Sequence, residues 1–293
     1  MIVSLCPTFF CNQKCSYCYL GNLRNDKSIL DLNILSPVLS NITCNINNIE
    51  IFGGEISLLS KDYLNNLKSI CLKYCQNIFV ITNMTYDISD IFDNITFSLN
   101  EEREDYLKIK NNLMYYEKPY NLSIVVLPSV IKKGAKQVLE SINYSNCRYV
   151  TFQKYSPSIL NDALIVSDND YENFLKDVID YYIENKEKMY YNITNINDIS
   201  NVYNGNYSPL MEENVFINYK GQYGCVLHND NKEYFKWFDT FAEWLNETKK
   251  EKEKYKERCS NCLYYNHCYA EHLNFNKSCS GNKDLLTYFK GKL

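Results

Sequence analysis

Residues 49–55 read IEIFGGE, a short β-branched and aromatic run that stops on two glycines and a carboxylate. Glycines at a strand end let another group approach the backbone with no Cβ in the way, and Glu55 adds a carboxylate at the same rim. A plain tight turn would look the same, so the surroundings decide. Apolar, β-rich runs recur at residues 2–5, Ile78 to Thr82 (IFVIT), Ile95 to Leu99 (ITFSL), Leu122 to Leu127 (LSIVVL) and Tyr149 to Phe152 (YVTF), with helix-length segments between most of them. Strand alternating with helix is the pattern of parallel βαβ units. Six strands occupy roughly the first 160 residues, too few for an eight-unit barrel. The expected fold is α/β, a partial (β/α)6 TIM-like barrel whose site lies on the loops at the carboxyl ends of the strands.

Helical periodicity supports the intervening segments. From Ser60 to Cys75, Tyr63, Leu64, Leu67, Ile70, Cys71 and Tyr74 share one face behind a Ser60 N-cap, which makes Cys71 a core thiol. A second amphipathic helix opens at Ser167 and Asp170 and carries Tyr171, Phe174, Leu175, Val178 and Tyr182 on one side. Asn192 to Ser208 is polar and rich in Asn, and reads as loop or linker. Val215 to Tyr219 and Gln222 to Leu227 suggest a hairpin turned at Lys220-Gly221, followed by a helix around Trp237 to Lys256. Residues 1–190 are therefore expected to form the barrel with its bridging helix, and residues 191–293 a small cysteine-rich α+β domain.

Cysteine spacing carries the chemistry. Residues 11–18 read CNQKCSYC, placing Cys11, Cys15 and Cys18 at C-x3-C-x2-C on one loop. Thiols this close cannot all pair without strain, and three thiolates suit an iron-sulfur cluster that leaves one iron open; a zinc knuckle is the alternative. Cys259, Cys262, Cys268 and Cys279 form a second set in a tail with too little apolar material for a core of its own, and zinc or iron-sulfur would fit their spacing. Cys6, Cys44, Cys75 and Cys147 lack ligand spacing and read as buried or loop thiols. Thirteen cysteines with neither a secretory signal nor a membrane-length apolar run indicate a cytoplasmic chain that uses thiols for metal. With 31 basic and 35 acidic side chains, no positive field points to nucleic acid or an anionic membrane.

The cysteine loop with Tyr17 before its last cysteine, and IFGGE at the next strand end, resembles the radical S-adenosylmethionine (radical SAM) enzymes. The C-x2-C-x5-C tail with a further cysteine resembles their SPASM auxiliary-cluster extension. The resemblance implies that Cys11, Cys15 and Cys18 ligate a 4Fe-4S cluster whose open iron takes S-adenosylmethionine (AdoMet). Tyr17 would pack near the adenine, and Gly53, Gly54 and Glu55 would bind the methionyl amino group. ITNM at Ile81 to Met84 is similar to the family's TNG segment and places Asn83 at the cofactor, with Met84 where Gly is usual. In FSLNEEREDYLK, Ser98 would face the ribose and Asn100 replaces the usual Asp.

In the tail, Cys259, Cys262, Cys268 and Cys279 would hold one auxiliary 4Fe-4S cluster. Only Cys225 and His272 remain of a second auxiliary site, too few for a cluster, so Cys225 reads as a thiol. The implied activity is reductive cleavage of AdoMet to a 5'-deoxyadenosyl radical that abstracts hydrogen from a peptide or small-protein substrate, with an electron donor such as flavodoxin or ferredoxin. A radical dehydrogenase or rearrangement enzyme for a small molecule, and a zinc-stabilised binding protein, are the alternatives.

Overall fold

The alternation of strand-length and helix-length segments is realised as an α/β chain in a computed structural model that describes residues 1–155, 162–204, 214–226, 235–265, 268, 283–290 and 292. Cys279 and His272 lie outside the described residues. In chain order the strands are β1 (Ile2–Leu5), β2 (Asn48–Ile51), β3 (Ile78–Thr82), β4 (Ile95–Ser98), β5 (Tyr120–Val126), β6 (Cys147–Lys154), β7 (Asn192–Ile193), β8 (Asn214–Ile217), β9 (Tyr223–Val226) and β10 (Phe235–Phe238). The helices are α1 (Leu32–Ser40), α2 (Lys61–Cys71), α3 (Tyr106–Met114), α4 (Pro128–Lys133), α5 (Ala135–Ser141), α6 (Asp168–Asn185), α7 (Thr194–Tyr203), α8 (Phe241–Cys259) and α9 (Lys283–Lys290). The chain divides into two compact units: Met1–Lys14 with Leu20–Ser98 and Leu210–Asn261, and Cys15–Tyr19 with Leu99–Pro209 and Cys262–Leu293.

In the first unit β1, β2, β3 and β4 pair in parallel in that order, and β8 joins the other side of β1, also parallel. β9 and β10 then extend the sheet antiparallel. Register divides the side chains cleanly. Val3, Leu5, Ile49, Ile51, Val80, Val215 and Ile217 share one face and are wholly buried, forming the core with Leu35 of α1 and Leu64 and Leu67 of α2. α2 begins where expected, the Ser60 hydroxyl accepting the Tyr63 N–H at 3.2 Å, and Cys71 is a buried thiol that burial pushes up to about 12.

The hairpin of β8 and β9 turns through Gly221, whose φ of 78° favours glycine. Two expectations fail in this region. Trp237 does not enter a helix: it lies on β10 opposite Gly224, where an added Cβ would sit 2.4 Å from the Trp237 ring, so the indole fills the space that the missing side chain leaves. α8 starts only at Phe241, behind a capping box of Thr240 and Glu243.

In the second unit β5, β6 and β7 are parallel. α6 follows its capping signal, with the Ser167 hydroxyl accepting the Asp170 N–H at 3.1 Å, and buries the Tyr171, Phe174, Leu175, Val178 and Tyr182 stripe. The C-terminal helix α9 packs on α6, where the Tyr288 hydroxyl donates to Asp180 and Lys292 pairs with the same carboxylate at 3.0 Å.

The polar stretch after residue 192 is not a loop: its first two residues are β7 and the next ten are α7. Asn195, Ile199 and Val202 fall on one buried face, and the Asn195 amide replaces a peptide group by donating to the Phe152 carbonyl and accepting its N–H, both at 2.9 Å. On the same helix, burial pushes the Asp198 carboxyl up to about 6. Protonation is thus favoured in the fold, and the penalty is absent below the unfolded pKa and sets in as pH rises towards 6. Asp198→Asn should leave stability at pH 3 nearly unchanged and raise it at pH 7, read from urea unfolding at both pH values.

Candidate cofactor site

The candidate residues fall into two groups, one in each unit. In the first unit the segment after β1 runs across the end of β2. The Gly54 N–H donates to the Thr8 carbonyl at 2.8 Å, and the Glu55 N–H to the Phe10 carbonyl at 2.7 Å. This contact is why glycines stand here. Gly53 has a φ of 140° and a Cβ there would lie 2.5 Å from the Thr8 oxygen, while at Gly54 it would lie 2.0 Å from the Phe10 oxygen. The pair therefore admits the start of the cysteine loop.

Glu55 is fully buried and its carboxylate is already engaged. One oxygen accepts the Ser57 N–H at 2.8 Å and the Thr82 hydroxyl; the other accepts the Asn83 N–H at 2.6 Å. Burial raises its pKa against these bonds. The side chain thus ties the end of β2 to the end of β3. Asn83 continues the tie: its side-chain N–H groups reach the Asn12 oxygen at 3.1 Å and the Cys11 sulfur at 3.8 Å, and its oxygen accepts the Thr85 N–H at 2.9 Å. The Cys11 sulfur also accepts the Gln13 N–H at 3.4 Å. Two N–H groups are thus directed at the Cys11 sulfur.

Met84 sits where the resemblance calls for glycine, and its φ of 62° is the left-handed conformation that glycine would adopt without strain. The turn is kept although the residue is wrong for it. Met84→Gly should therefore be neutral or stabilising by up to about 1 kcal/mol, strain relief outweighing the added freedom of the unfolded chain. A thermal melt that falls on this substitution would contradict the assignment of strain. Ser98, the last residue of β4, is half-buried at the edge of this unit.

In the second unit Cys15, Tyr17 and Cys18 form a short segment with the Cys18 N–H bonded to the Cys15 carbonyl at 3.2 Å. Burial raises the Cys15 thiol, and the Arg103 guanidinium draws it back. Tyr17 is likewise raised by burial and by its neighbour Cys15. Arg103 is the residue that sequence reading passed over. It is buried, bonds Asp105 at 3.2 Å, and although burial opposes its charge, Tyr17, Asp105 and Cys15 hold its pKa above the ordinary value. The signal available was a single arginine in the acidic run EEREDY. Asn100 has a structural role: its amide donates to the Val125 carbonyl at 2.7 Å and accepts the Val125 N–H at 3.1 Å, a two-way bond that an ionised Asp cannot make.

Among the described residues no three His, Cys, Asp or Glu side chains are gathered into a metal-holding group, so the fit to a cluster rests on donor chemistry: three half-buried thiols on one loop. In the tail, Cys259 ends α8, Cys262 is half-buried and Cys268 is buried; Cys279 lies outside the described residues. Cys225 is buried on β9, and burial pushes its thiol up to about 12. Among the described residues no helix is long and apolar enough to cross a membrane.

Comparison with protein-family models gives no match, and neither does comparison with curated proteins. Solved structures do match. Native anSMEcpe with bound AdoMet has a TM-score of 0.71 at 17% identity, covering 100% of this chain and 98% of that one. The same protein with AdoMet and the Cp18Cys peptide gives 0.69 at 16%, covering 99% and 96%. Streptococcus suis SuiB bound to S-adenosylmethionine gives 0.64 at 14%, covering 92% and 72%. At these identities the likeness is one of fold, and that fold is the partial barrel of the radical SAM enzymes, as the cysteine loop and the Gly-Gly-Glu stretch lead one to expect.

Proposed function

We propose that the chain is a radical SAM enzyme acting on a peptide or small protein. The observation that carries this reading is the packing of the Cys11 loop onto the Gly53-Gly54-Glu55 turn, in a chain with the fold of AdoMet-bound anSMEcpe. Cys11, Cys15 and Cys18 would hold a 4Fe-4S cluster, and Tyr17, Gly53, Gly54, Glu55, Asn83 and Ser98 would surround AdoMet. Bound together, these groups supply a 5'-deoxyadenosyl radical that removes hydrogen from an unactivated C–H bond. The protein's part is to position the reactants and exclude water. Glu55 and Asn83 do so by fixing two strand-end turns to the residue that begins the cluster loop, and Arg103 places a permanent positive charge beside Cys15 and Tyr17.

Residues 1–190 would be the catalytic barrel and 191–293 an auxiliary domain, in which Cys259, Cys262, Cys268 and Cys279 hold a second 4Fe-4S cluster. A peptide substrate is supported by the neighbours, since one anSMEcpe structure holds the Cp18Cys peptide and one SuiB structure its precursor peptide SuiA. Flavodoxin or ferredoxin would donate the electron. A cytoplasmic location would keep the thiols reduced and available to metal. Anaerobic reconstitution should give a brown protein with about eight irons per chain that forms 5'-deoxyadenosine from AdoMet and a reductant. Colourless protein holding zinc would overturn the proposal.

A further inference from the structure

An apolar stripe on α3 is left outside the core of the second unit. Ile109 and Leu113 bury the inner side of this helix. On the opposite side Leu107, Asn111 and Met114 follow at i, i+4 and i+7, and Tyr115 closes the row just past the helix end. Leu107 is 71% exposed, Met114 59% and Tyr115 80%. A single exposed leucine needs no explanation. Three large apolar side chains in one row on the water-facing side of a helix form a patch, and such patches mark places of contact.

Size and charge narrow the partner. Three side chains offer a few hundred Å² of mostly apolar surface, well below what a stable dimer buries and in the range of transient electron-transfer encounters. Lys108 and Lys110 flank the stripe, Lys110 lying over the Tyr106 ring at 5.8 Å, and α3 itself contains no acid. The acids that precede it are drawn to its N-terminal end, where Glu101 pairs with Lys133 and Asp105 with Arg103 at 3.2 Å. Lysines around an apolar centre suit an acidic partner, which they steer to the surface without holding it there.

Position narrows it further, because α3 starts beside the cysteine loop. Asp105, the residue before the helix, acts electrostatically on the Cys15 thiol together with Arg103, and Cys15–Tyr19 belong to the same unit as α3. Leu107 is two residues from Asp105, and the nine residues of α3 span about 14 Å, so the stripe runs no more than about a helix length from that contact. A partner seated on it would bring a redox centre near the cluster that Cys15 and Cys18 help to hold.

We propose that the Leu107–Met114–Tyr115 stripe of α3, flanked by Lys108 and Lys110, docks the reductant, a small acidic flavin or iron-sulfur protein. The donor loses one electron to the cluster, and no bond is made or broken at the contact. This rests on the reading of the chain as a radical SAM enzyme and adds to it the surface by which the electron enters.

Two kinds of reductant separate docking from chemistry: reduced flavodoxin or ferredoxin must dock, whereas dithionite needs no protein contact. In the anaerobically reconstituted protein, Leu107→Glu combined with Met114→Glu should slow cluster reduction by a limiting protein donor at least about tenfold and leave reduction by dithionite within about twofold. The readout is the AdoMet-perturbed electron paramagnetic resonance signal of the reduced cluster in freeze-quenched samples, which does not depend on turnover. Glutamates at Ile183 and Tyr190, exposed elsewhere on the same unit, are the control and should change neither rate. Salt at about 0.5 M should slow the protein donors on the wild-type protein. The proposal is overturned by unchanged reduction by the protein donors, by an equal loss with dithionite, by an equal loss in the control, or by a wild-type protein that neither donor reduces. A wild-type dimer that the double variant breaks also overturns it, since the stripe would then belong to a second copy. Failure of the radical reading shows itself differently, as no 5'-deoxyadenosine from the wild-type protein with dithionite.

Discussion

Gly54→Ala should destabilise the protein by about 3 kcal/mol or more, enough to leave it largely unfolded or insoluble on expression. The new methyl carbon would sit 2.0 Å from the Phe10 oxygen and 2.5 Å from the Phe10 and Phe9 carbonyl carbons, all of them backbone atoms. No rotamer change relieves a clash with backbone. Nor can the Thr8–Phe10 segment retreat cheaply, because the Gly54 and Glu55 N–H groups are bonded to its carbonyls, and losing them strands buried donors. Gly221→Ala is the control: its nearest neighbours are the Ile34 and Val38 side-chain ends at 3.0 and 3.2 Å, which can yield, so only the positive φ is paid for, about 1 kcal/mol. Urea unfolding of both variants checks the order. Equal, small effects would show that the loop does not lie on the glycine pair as described.

Replacing Cys11, Cys15 and Cys18 together by Ala should remove about four irons per chain and all 5'-deoxyadenosine formation, while the fold survives. Survival is expected because the three side chains are half-buried on a loop, outside the apolar core. The corresponding change at Cys259, Cys262, Cys268 and Cys279 should also remove about four irons but leave the remaining cluster's AdoMet-perturbed spectrum in place. Iron analysis and electron paramagnetic resonance of the two variants separate the sites. Deoxyadenosine formation by the first variant would exclude the proposed cluster loop.

Most of the barrel was legible because its signals are local. A β-branched run, a helical stripe and a capping serine each lie within a few residues, and Ser60 and Ser167 cap the helices that they announce. The misreadings have long-range causes. Asn195 looks like loop composition until Phe152 supplies both halves of its amide bond, and Trp237 looks like the first turn of a helix until Gly224 vacates space for it. The same holds at the site. Residue types at Gly53, Gly54 and Glu55 were visible, but their protein partners, Thr8 to Phe10 and Thr82 to Asn83, are distant in sequence and could not be read from it.

The pairing of β1 with β8 has a kinetic consequence. These parallel strands are about two hundred residues apart in the chain, so their alignment is among the last and entropically slowest steps of folding. Until β8 arrives, one edge of β1 is open and the Cys6 N–H lacks the Ile217 carbonyl that fixes the chain as it enters the cysteine loop. During synthesis the loop therefore emerges early but is anchored late. An iron-sulfur donor delivering a cluster to it would meet a settled scaffold only after nearly the whole polypeptide has left the ribosome.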